Sequence, residues 1–581
     1  MAQSSQRFTP FISPTSGVTQ RQRIERISSS LWTERTTNEP HWRDLNDYVS
    51  PRKARWFASD RNKGDRRNQK IIDSTGTFAL RTCQSGMHAG MTNPARPWVR
   101  LGVPDPDLNE YAPVKQWLHT VTQRMLTIFA QTNLYNALPV HYGCKALFAT
   151  AATAILEDDD DLFRAYSYPI GSYAVATDSR GRVNQWVYRC EKTVLEIVES
   201  YLVDKKTNMI DWQNASTTIR KLWEDANYNS KVEVEWVIIP NPNYNPRMAL
   251  DPSRSKPFLS VHVERGQEKD DVFLKQGGYD EFPILVSRWD VTGNDWWGTD
   301  CPGMVALGDI KQLQTGERKS MQAVEKMINP PLQAPTQVRN QKASLLPGDI
   351  TYNDVREGQK GITPIHETNM PIDALETKQS ATRLRIQRAF YEDLFLMINQ
   401  MEGIQPRGMA EIAERKEEKL ISLGPVLERS KDELHDPLID RTFAMMGRAG
   451  LLPEPPQELV DMKLKVEYIS MLAQAQKLVG IAGHERFING VTMIAQTWPH
   501  VRHKVDAFQV IDDYNEMLGN NPKLVLPDDE ARAAADAEAK AAAQAQQAAT
   551  AKDMTGAARD LGGIDMEGDN ALKRIVEGAG A

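Results

Sequence analysis

A loop that cradles nucleotide phosphates needs GxxxxGK followed by Ser or Thr, and the dipeptide Gly-Lys does not occur in this chain. GxGxxG is absent as well, so neither a built-in motor nor a dinucleotide site is expected. HExxH is missing, because His484-Glu485 has no second histidine on the next turn. His500 and His503 could share a metal, but with no third ligand nearby an ordinary helix surface is the plainer reading. The run Glu157-Asp158-Asp159-Asp160-Asp161 offers hard oxygens for a cation such as Ca²⁺ but lacks the glycine spacing of a calcium loop. It reads as a solvated helix end and turn. Ser50-Pro51-Arg52-Lys53 matches the SxxK string of acyl-enzymes at two fixed positions only, with no SDN or KTG beside it. Ser85 before Gly86 is no nucleophile elbow, since Cys83 stands where a glycine is needed. Cys83, Cys144, Cys190 and Cys301 form no CxxC pair and read as buried thiols in a reducing compartment. No catalytic residue, metal or cofactor is assigned, and the chain reads as a non-enzyme.

The elements that would carry any function must therefore be read for what they build. The 581 residues allow two to four domains. Hydrophobic residues make up 40% and charged residues 25%, the balance of a soluble folded protein. No stretch reaches the roughly 18 apolar residues of a membrane span, so no membrane partner is expected. The opening MAQSSQRFTPFISPTSG lacks the apolar core of a signal peptide, which points to synthesis and assembly in the cytosol. A formal net charge of −7 argues against a tight DNA clamp but not against a protein that lets DNA slide past.

Residues 19–50 predict a helix on the spacing of Ile24, Ile27 and Leu31, ended by Pro51, with the basic run PRKARWFASDRNKGDRR after it. A second helix is expected over 69–91, a short strand at VRLGV, and two further helices over 112–133 and 138–156. Residues 165–290 alternate as strands, with Asp178-Ser179-Arg180-Gly181 as a hairpin turn and VEVEWVIIP, PFLSVHVERG and FPILVSRWDV as three strands. VALGDIKQLQTGERKSMQAVEKMI then predicts a helical rod about 36 Å long, stopping at Asn329-Pro330-Pro331. A second long helix is expected from Leu375 to Asn399, and a third from Met409 to Gly447, kinked at Gly424-Pro425. Residues 453–520 read as shorter helices, and the Ala-rich tail as a solvated helix that frays. The fold class is α+β, helix-rich. No fixed-period repeat is present, which sets a solenoid aside.

Five stretches in order carry a family resemblance. They are IIDSTGTFALRTCQSGMHAGMTNPARPWVRL, YPIGSYAVATDSRGRVNQWVYR, DEFPILVSRWDVTGNDWWGTDCPGMVALGDIKQL, MAEIAERKEEKLISLGPVLERSKDELHDPLIDR and VEYISMLAQAQKL. Together they spread over roughly residues 20–530, and the chain resembles the head-to-tail connecting (portal) proteins of podovirus-type bacteriophages. One departure is mild: Trp297 precedes Gly298 where the family often has Tyr.

The resemblance implies a portal fold of wing, stem, clip and crown, assembled as a dodecameric ring at one capsid vertex of the virion. Residues 1–303 would be wing, 304–328 and 375–399 the stem helices, and 329–374 the clip. Residues 400–409 would be a tunnel loop, 410–452 a kinked wing helix, 453–530 the crown and 531–581 a tail. Double-stranded DNA would pass through the channel during packaging and ejection. The large terminase and then a tail adaptor would dock on the clip, with the major capsid protein and a scaffolding protein as further partners. The DNA-facing candidates in the tunnel loop are Met401, Glu402, Gln405 and Arg407; those in the stem are Lys311, Arg318, Lys319 and Lys326; those in the clip are Arg339 and Lys342. Asp309, Glu317 and Glu325 nearly balance the stem cations, which suits sliding and equally suits any solvated helix face. The loop around Arg407 serves equally as a plain helix connector. A tail adaptor or internal core protein is the competing assignment; it would lack the helix-insert-helix unit.

Overall fold

The computed structural model describes residues 19–105, 108, 111–203, 209–248, 251–266, 272–334, 339, 362–364, 372–400, 423–459, 465–468, 487–498, 504–511, 525 and 531–546. The chain divides into two compact units, one of 1–102 with 117–479 and one of 103–116 with 480–581.

The first unit opens on α1 (Gln20–Val49), whose N-terminus is closed by a reciprocal capping box between Thr19 and Gln22. Then come α2 (Thr75–Met91), β1 (Val99–Gly102), α3 (Ala112–Gln131) and α4 (Leu134–Phe148). Strands β2 (Thr150–Asp158) and β3 (Leu162–Tyr168) follow, then β4 (Tyr173–Thr177) and β5 (Val183–Thr193). Strands β6 (Lys231–Pro240), β7 (Phe258–Glu264), β8 (Lys275–Tyr279) and β9 (Ile284–Arg288) complete the β region. β4 to β8 form a five-stranded antiparallel meander, and β2 sits between β3 and β9 in a second sheet. The Asp178 turn forms as expected: its carboxylate accepts from the N–H groups of Arg180 at 2.8 Å and Arg182 at 2.9 Å, and Gly181 takes a φ of +75°.

Helix α1 lies on the meander. Ile24 and Leu31 pack with Ala174, Val187, Val237 and Val261. One buried carboxylate pins the layers together, because Glu235 Oε1 accepts from Ser28 Oγ at 2.7 Å, Trp32 Nε1 at 3.2 Å and Arg189 Nε at 2.7 Å. A buried charge is tolerated only with such partners.

Several expectations need correction. The helix expected over 138–156 ends at Phe148; Ala149 turns left-handed at φ 61°, and β2 follows. The Ala-rich composition suggests helix, but two flanking strands claim this backbone, and tertiary pairing overrides propensity. The acidic run 157–161 consequently sits at the β2–β3 hairpin rather than at a helix end. Finally, VEY of the expected helical region 453–520 belongs to strand β12 (Lys465–Tyr468), where Val99 pairs with Tyr468 in an antiparallel ladder. An isolated β1 would leave its backbone groups without partners.

Beyond β9 stands α5 (Pro302–Ile328). Strands β10 (Leu332–Gln333) and β11 (Thr363–Pro364) flank the insert, followed by α6 (Ile372–Ala389) and α7 (Glu392–Gln400). The single helix expected over 375–399 is thus broken, at Tyr391 with φ 56°. The break turns Leu394 and Phe395 into the core. For the third helix, expected to kink at Gly424-Pro425, the turn before Pro425 lies outside the described residues; within the described part regularity is lost later. Residues 423–430 are α-helical, a π turn covers Lys431–His435, and α8 (Asp436–Arg448) continues. Pro437 has no N–H for the carbonyl of Glu433, and the wider turn absorbs that loss. In the second unit, helix 531–546 is solvent-covered nearly throughout, as the tail's composition predicts.

Candidate functional site

The candidate site is the pair α5–α6 with the insert between its far ends. The loop WDVTGNDWWGTDCPG seats the start of α5. Trp297 is buried edge-on against Trp42 at 4.8 Å and near Tyr173 at 5.8 Å. Gly298 donates its N–H to Thr150 Oγ1 at 2.8 Å, and a Cβ there would strike the carbonyl of Ala149. An aromatic before this glycine is therefore required by packing, and Trp satisfies it.

Only the first half of α5 is held by the body. Ala306, Leu307, Ile310, Leu313 and Gln314 are buried, and no residue after Gln314 is. Gln314 takes the N–H groups of Ile72 at 2.6 Å and Asp73 at 2.9 Å and donates to the Asp73 carbonyl at 2.7 Å. The remaining half, 315–328, which buries no residue, extends about 20 Å.

Helix α6 runs beside it. Arg385 pairs with Asp309 at 2.8 Å, and Gln379 Nε2 donates to Ser320 Oγ at 2.8 Å. Arg383 bridges Glu317 on α5 and Asp73 at the start of α2, the latter at 2.9 Å. Burial opposes ionisation of Asp73, but hydrogen bonds from Thr75 and Arg383 outweigh it and lower its pKa. At the far end, Leu332 pairs with Pro364 and Gln333 with Thr363, so the insert leaves and returns at neighbouring points.

The stem candidates separate in this frame. Lys311 is half-buried and engaged: its ammonium holds Asp44 of α1 at 2.6 Å and lies 5.4 Å from the Tyr48 ring. Arg318, Lys319 and Lys326 are exposed and have no ion-pair partner among the described residues. Arg318, Gln322 and Lys326 share one strip at four-residue spacing, with Lys319 beside it. Asp309 and Glu317 are engaged by α6, so of the carboxylates expected to balance these cations only Glu325 is left over. The solvent strip is net basic. On another side of the same half-helix, Met321 and Ile328 are 63% and 71% exposed, with Val324 between them. Arg339 is exposed. Met401, Glu402, Gln405, Arg407 and Lys342 lie outside the described residues, as do His500 and His503.

Among the described residues no group of His, Cys, Asp and Glu could hold a metal ion. Lys53 is half-buried and donates to Gln84 at 2.8 Å, and Ser85 is exposed in mid-helix. All four cysteines are free; three are buried and Cys190 is half-buried. No described helix is long and apolar enough to cross a membrane. What sequence reasoning missed is a buried polar knot under the π turn. Lys145 donates to Ser430 at 2.5 Å, and Glu433 clasps Arg288 at 2.6 Å. Burial pushes the Lys145 amine down to about 7, and His141 nearby down to about 3. Ser430 gives its own proton to the Val426 carbonyl at 2.6 Å and is fully enclosed, so this Ser-Lys pair is structural. The one signal for it is a lone cation in the apolar segment LYNALPVHYGCKALF.

Comparison with known proteins bears on the same chain length. A family model described as "Bacteriophage head to tail connecting protein" matches residues 21–526. The chain is 41% identical to the portal protein of Salmonella phage epsilon15 over 565 residues, covering 97% of this chain and 99% of that one. It is 39% identical to a probable portal protein of Bordetella phage BPP-1, over 94% of this chain and 96% of that one. Among solved structures it is similar to a chain of the virion of a native gene transfer agent particle, at 12% identity and a TM-score of 0.31, covering 80% of this chain and 97% of that one.

Proposed function

The chain belongs to the family of bacteriophage head to tail connecting proteins, and from that membership we propose how its parts make a DNA conduit. It is a portal protein, a structural component of the virion rather than an enzyme. In the proposed reading 304–328 and 375–399 are the stem, 329–374 is the clip, 400–409 a tunnel loop, and 453–530 the crown inside the head. The rest of 1–452 is wing, and the tail beyond 530 is solvated. Twelve copies close a ring through heterologous contacts.

One observation carries this reading. α5 is gripped by the wing over its first half only, and a second helix is strapped alongside the half that projects. Repeated around an axis, such pairs form a tube wall. The exposed strip of Met321, Val324 and Ile328 would then be covered by the next copy, since a solvent-facing apolar strip signals an interface. Arg318, Lys319 and Lys326 would face the duplex. Three cations per copy give weak, sequence-blind attraction, because phosphate contact holds DNA without reading it. Arg407 would add contact at the tunnel loop, and Arg339 and Lys342 would lie on the clip, where terminase and then tail adaptor dock. Capsid and scaffolding proteins would meet the wing.

The test is direct. Negative-stain averages of the purified protein should show rings with a central hole and about twelve-fold symmetry. The R318Q/K319Q/K326Q variant should still form them while DNA packaging or retention changes. A protein that stays monomeric under all assembly conditions would overturn the conduit reading, and loss of rings in the variant would overturn the assignment of those cations.

A further inference from the structure

The segment between α1 and α2 has 25 residues and almost no regular structure, which is long for a connector in a compact body. It is nevertheless tightly tied. Asn62 Nδ2 donates to the Arg52 carbonyl at 3.0 Å, and Arg55 reaches Asn62 Oδ1 at 3.2 Å. Arg67 holds Asp60 at 2.7 Å and the Arg61 carbonyl at 3.1 Å, and Arg52 reaches the Asp65 carbonyl at 3.3 Å. The Arg55 N–H bonds the Ile170 carbonyl at 2.9 Å, which fastens the knot to the loop before β4.

Residues 51–67 contain seven cations and two carboxylates, in a chain whose net charge is −7. The knot sorts these charges. Asp60 is consumed by Arg67, Lys53 is half-buried and bonded to Gln84, and Arg55 is half-buried. Arg52, Arg61, Lys63 and Arg66 remain exposed, and none has a carboxylate partner among the described residues. Their bonds go to backbone carbonyls, which leave the charge in place. Asp65 is the one counter-charge among them. Because the internal bonds bring positions 52, 61, 62, 65 and 67 together, these four cations are presented from one rigid knob. Exposed Phe57 at its edge has the Arg43 guanidinium 5.8 Å from its ring, which takes a face that a base would need for stacking.

We propose that this knob is a second contact for the phosphate backbone of duplex DNA, on the wing and separate from the stem. Fixed, rigid cations without base-reading groups suit a backbone contact that positions without specifying sequence. The proposal shares only its ligand with the conduit reading, and it can fail while the ring stands.

The experiment uses the full chain and a random-sequence duplex, with binding followed by fluorescence anisotropy across a salt series. R52Q/R61Q/K63Q/R66Q should weaken binding and lower the slope of log K against log salt by roughly two to four, because each lost phosphate contact removes about 0.9. R318Q/K319Q/K326Q in the same assay should leave that component in place. K63E alone, at a side chain with no contact to lose, should weaken binding without changing the thermal midpoint. An unchanged slope in both the quadruple variant and K63E overturns the proposal. So does poly-glutamate displacing the protein as well as DNA does at equal charge, which would indicate an acidic protein partner instead. Ring formation, checked by electron microscopy on each variant, separates failure of this contact from failure of the conduit.

Discussion

Lys145 shows what a single buried charge costs this fold. Its side chain is fully enclosed, with Ser430 as its hydrogen-bond partner and Glu433, Arg429 and Arg288 as the charges that face it, and His141 and His435 close by. Burial is the dominant effect and lowers its pKa from 10.5 to about 7, ahead of the opposing pull of Glu433. Between those values the unfolded chain binds a proton that the folded chain does not, so stability rises with pH across that window. The penalty is fully present below pH 7. His141, lowered from 6.5 to about 3, adds a second loss as pH falls through that range. Lys145→Met removes the first penalty and leaves Ser430 its bond to the Val426 carbonyl. The variant should be more stable at pH 6 to 7 by on the order of a few kcal/mol, the size of penalty that a lowering from 10.5 to about 7 represents. The advantage should shrink toward pH 10. Denaturant midpoints at three pH values check this, and a pH-independent difference would show that packing rather than the amine sets the effect.

Between elements, the contact that seats the second helix arm is a glycine. Gly86 on α2 lies against the Phe395 ring of α7, so close that an added Cβ would overlap it. Both residues are buried. Gly86→Ala should cost about 1–3 kcal/mol by overpacking, and Phe395→Leu should recover part of that loss in the double variant. Thermal unfolding of the four members of the cycle tests the coupling; purely additive losses would mean that the two side chains do not meet. Much of this architecture was legible in the residues. The meander showed its two-residue alternation, the hairpin its Asp-Ser-Arg-Gly turn, and α5 its apolar spacing. Other features left no local trace. Ala389, Phe390, Tyr391 and Glu392 contain neither Gly nor Pro, yet the second helix breaks there, because Leu394 and Phe395 gain a core position. Strand β2 hid behind alanines, since only its neighbours β3 and β9 decide its state. At the candidate site, the positions of Arg318, Lys319 and Lys326 were readable, whereas the pairing of Lys311 with Asp44 depends on a residue 267 positions away.

For the whole molecule, the placement of anchors divides the labour. Among the described residues, the polar ties between α5 and the body fall at or before Glu317, through Asp44, Ile72 and Asp73 directly and through Arg383. Past that point α5 touches α6, and then the chain enters the insert through β10 and leaves it through β11. Paired strand residues stand only about 5 Å apart, so the insert's two ends are already joined at its base. Its interior should therefore be dispensable to the fold of the rest and needed only for what it meets outside. Replacing residues 335–361 with a short Gly-Ser linker should leave the thermal midpoint nearly unchanged and rings visible by electron microscopy. Capture of the large terminase on those rings should be lost, because the proposed docking surface is gone while the stem is intact. Rings that fall apart after this replacement would instead make the insert part of the contact between copies. In that case the exposed strip at Met321, Val324 and Ile328 would be too little to hold neighbours together, and the stem would need the clip to close the tube.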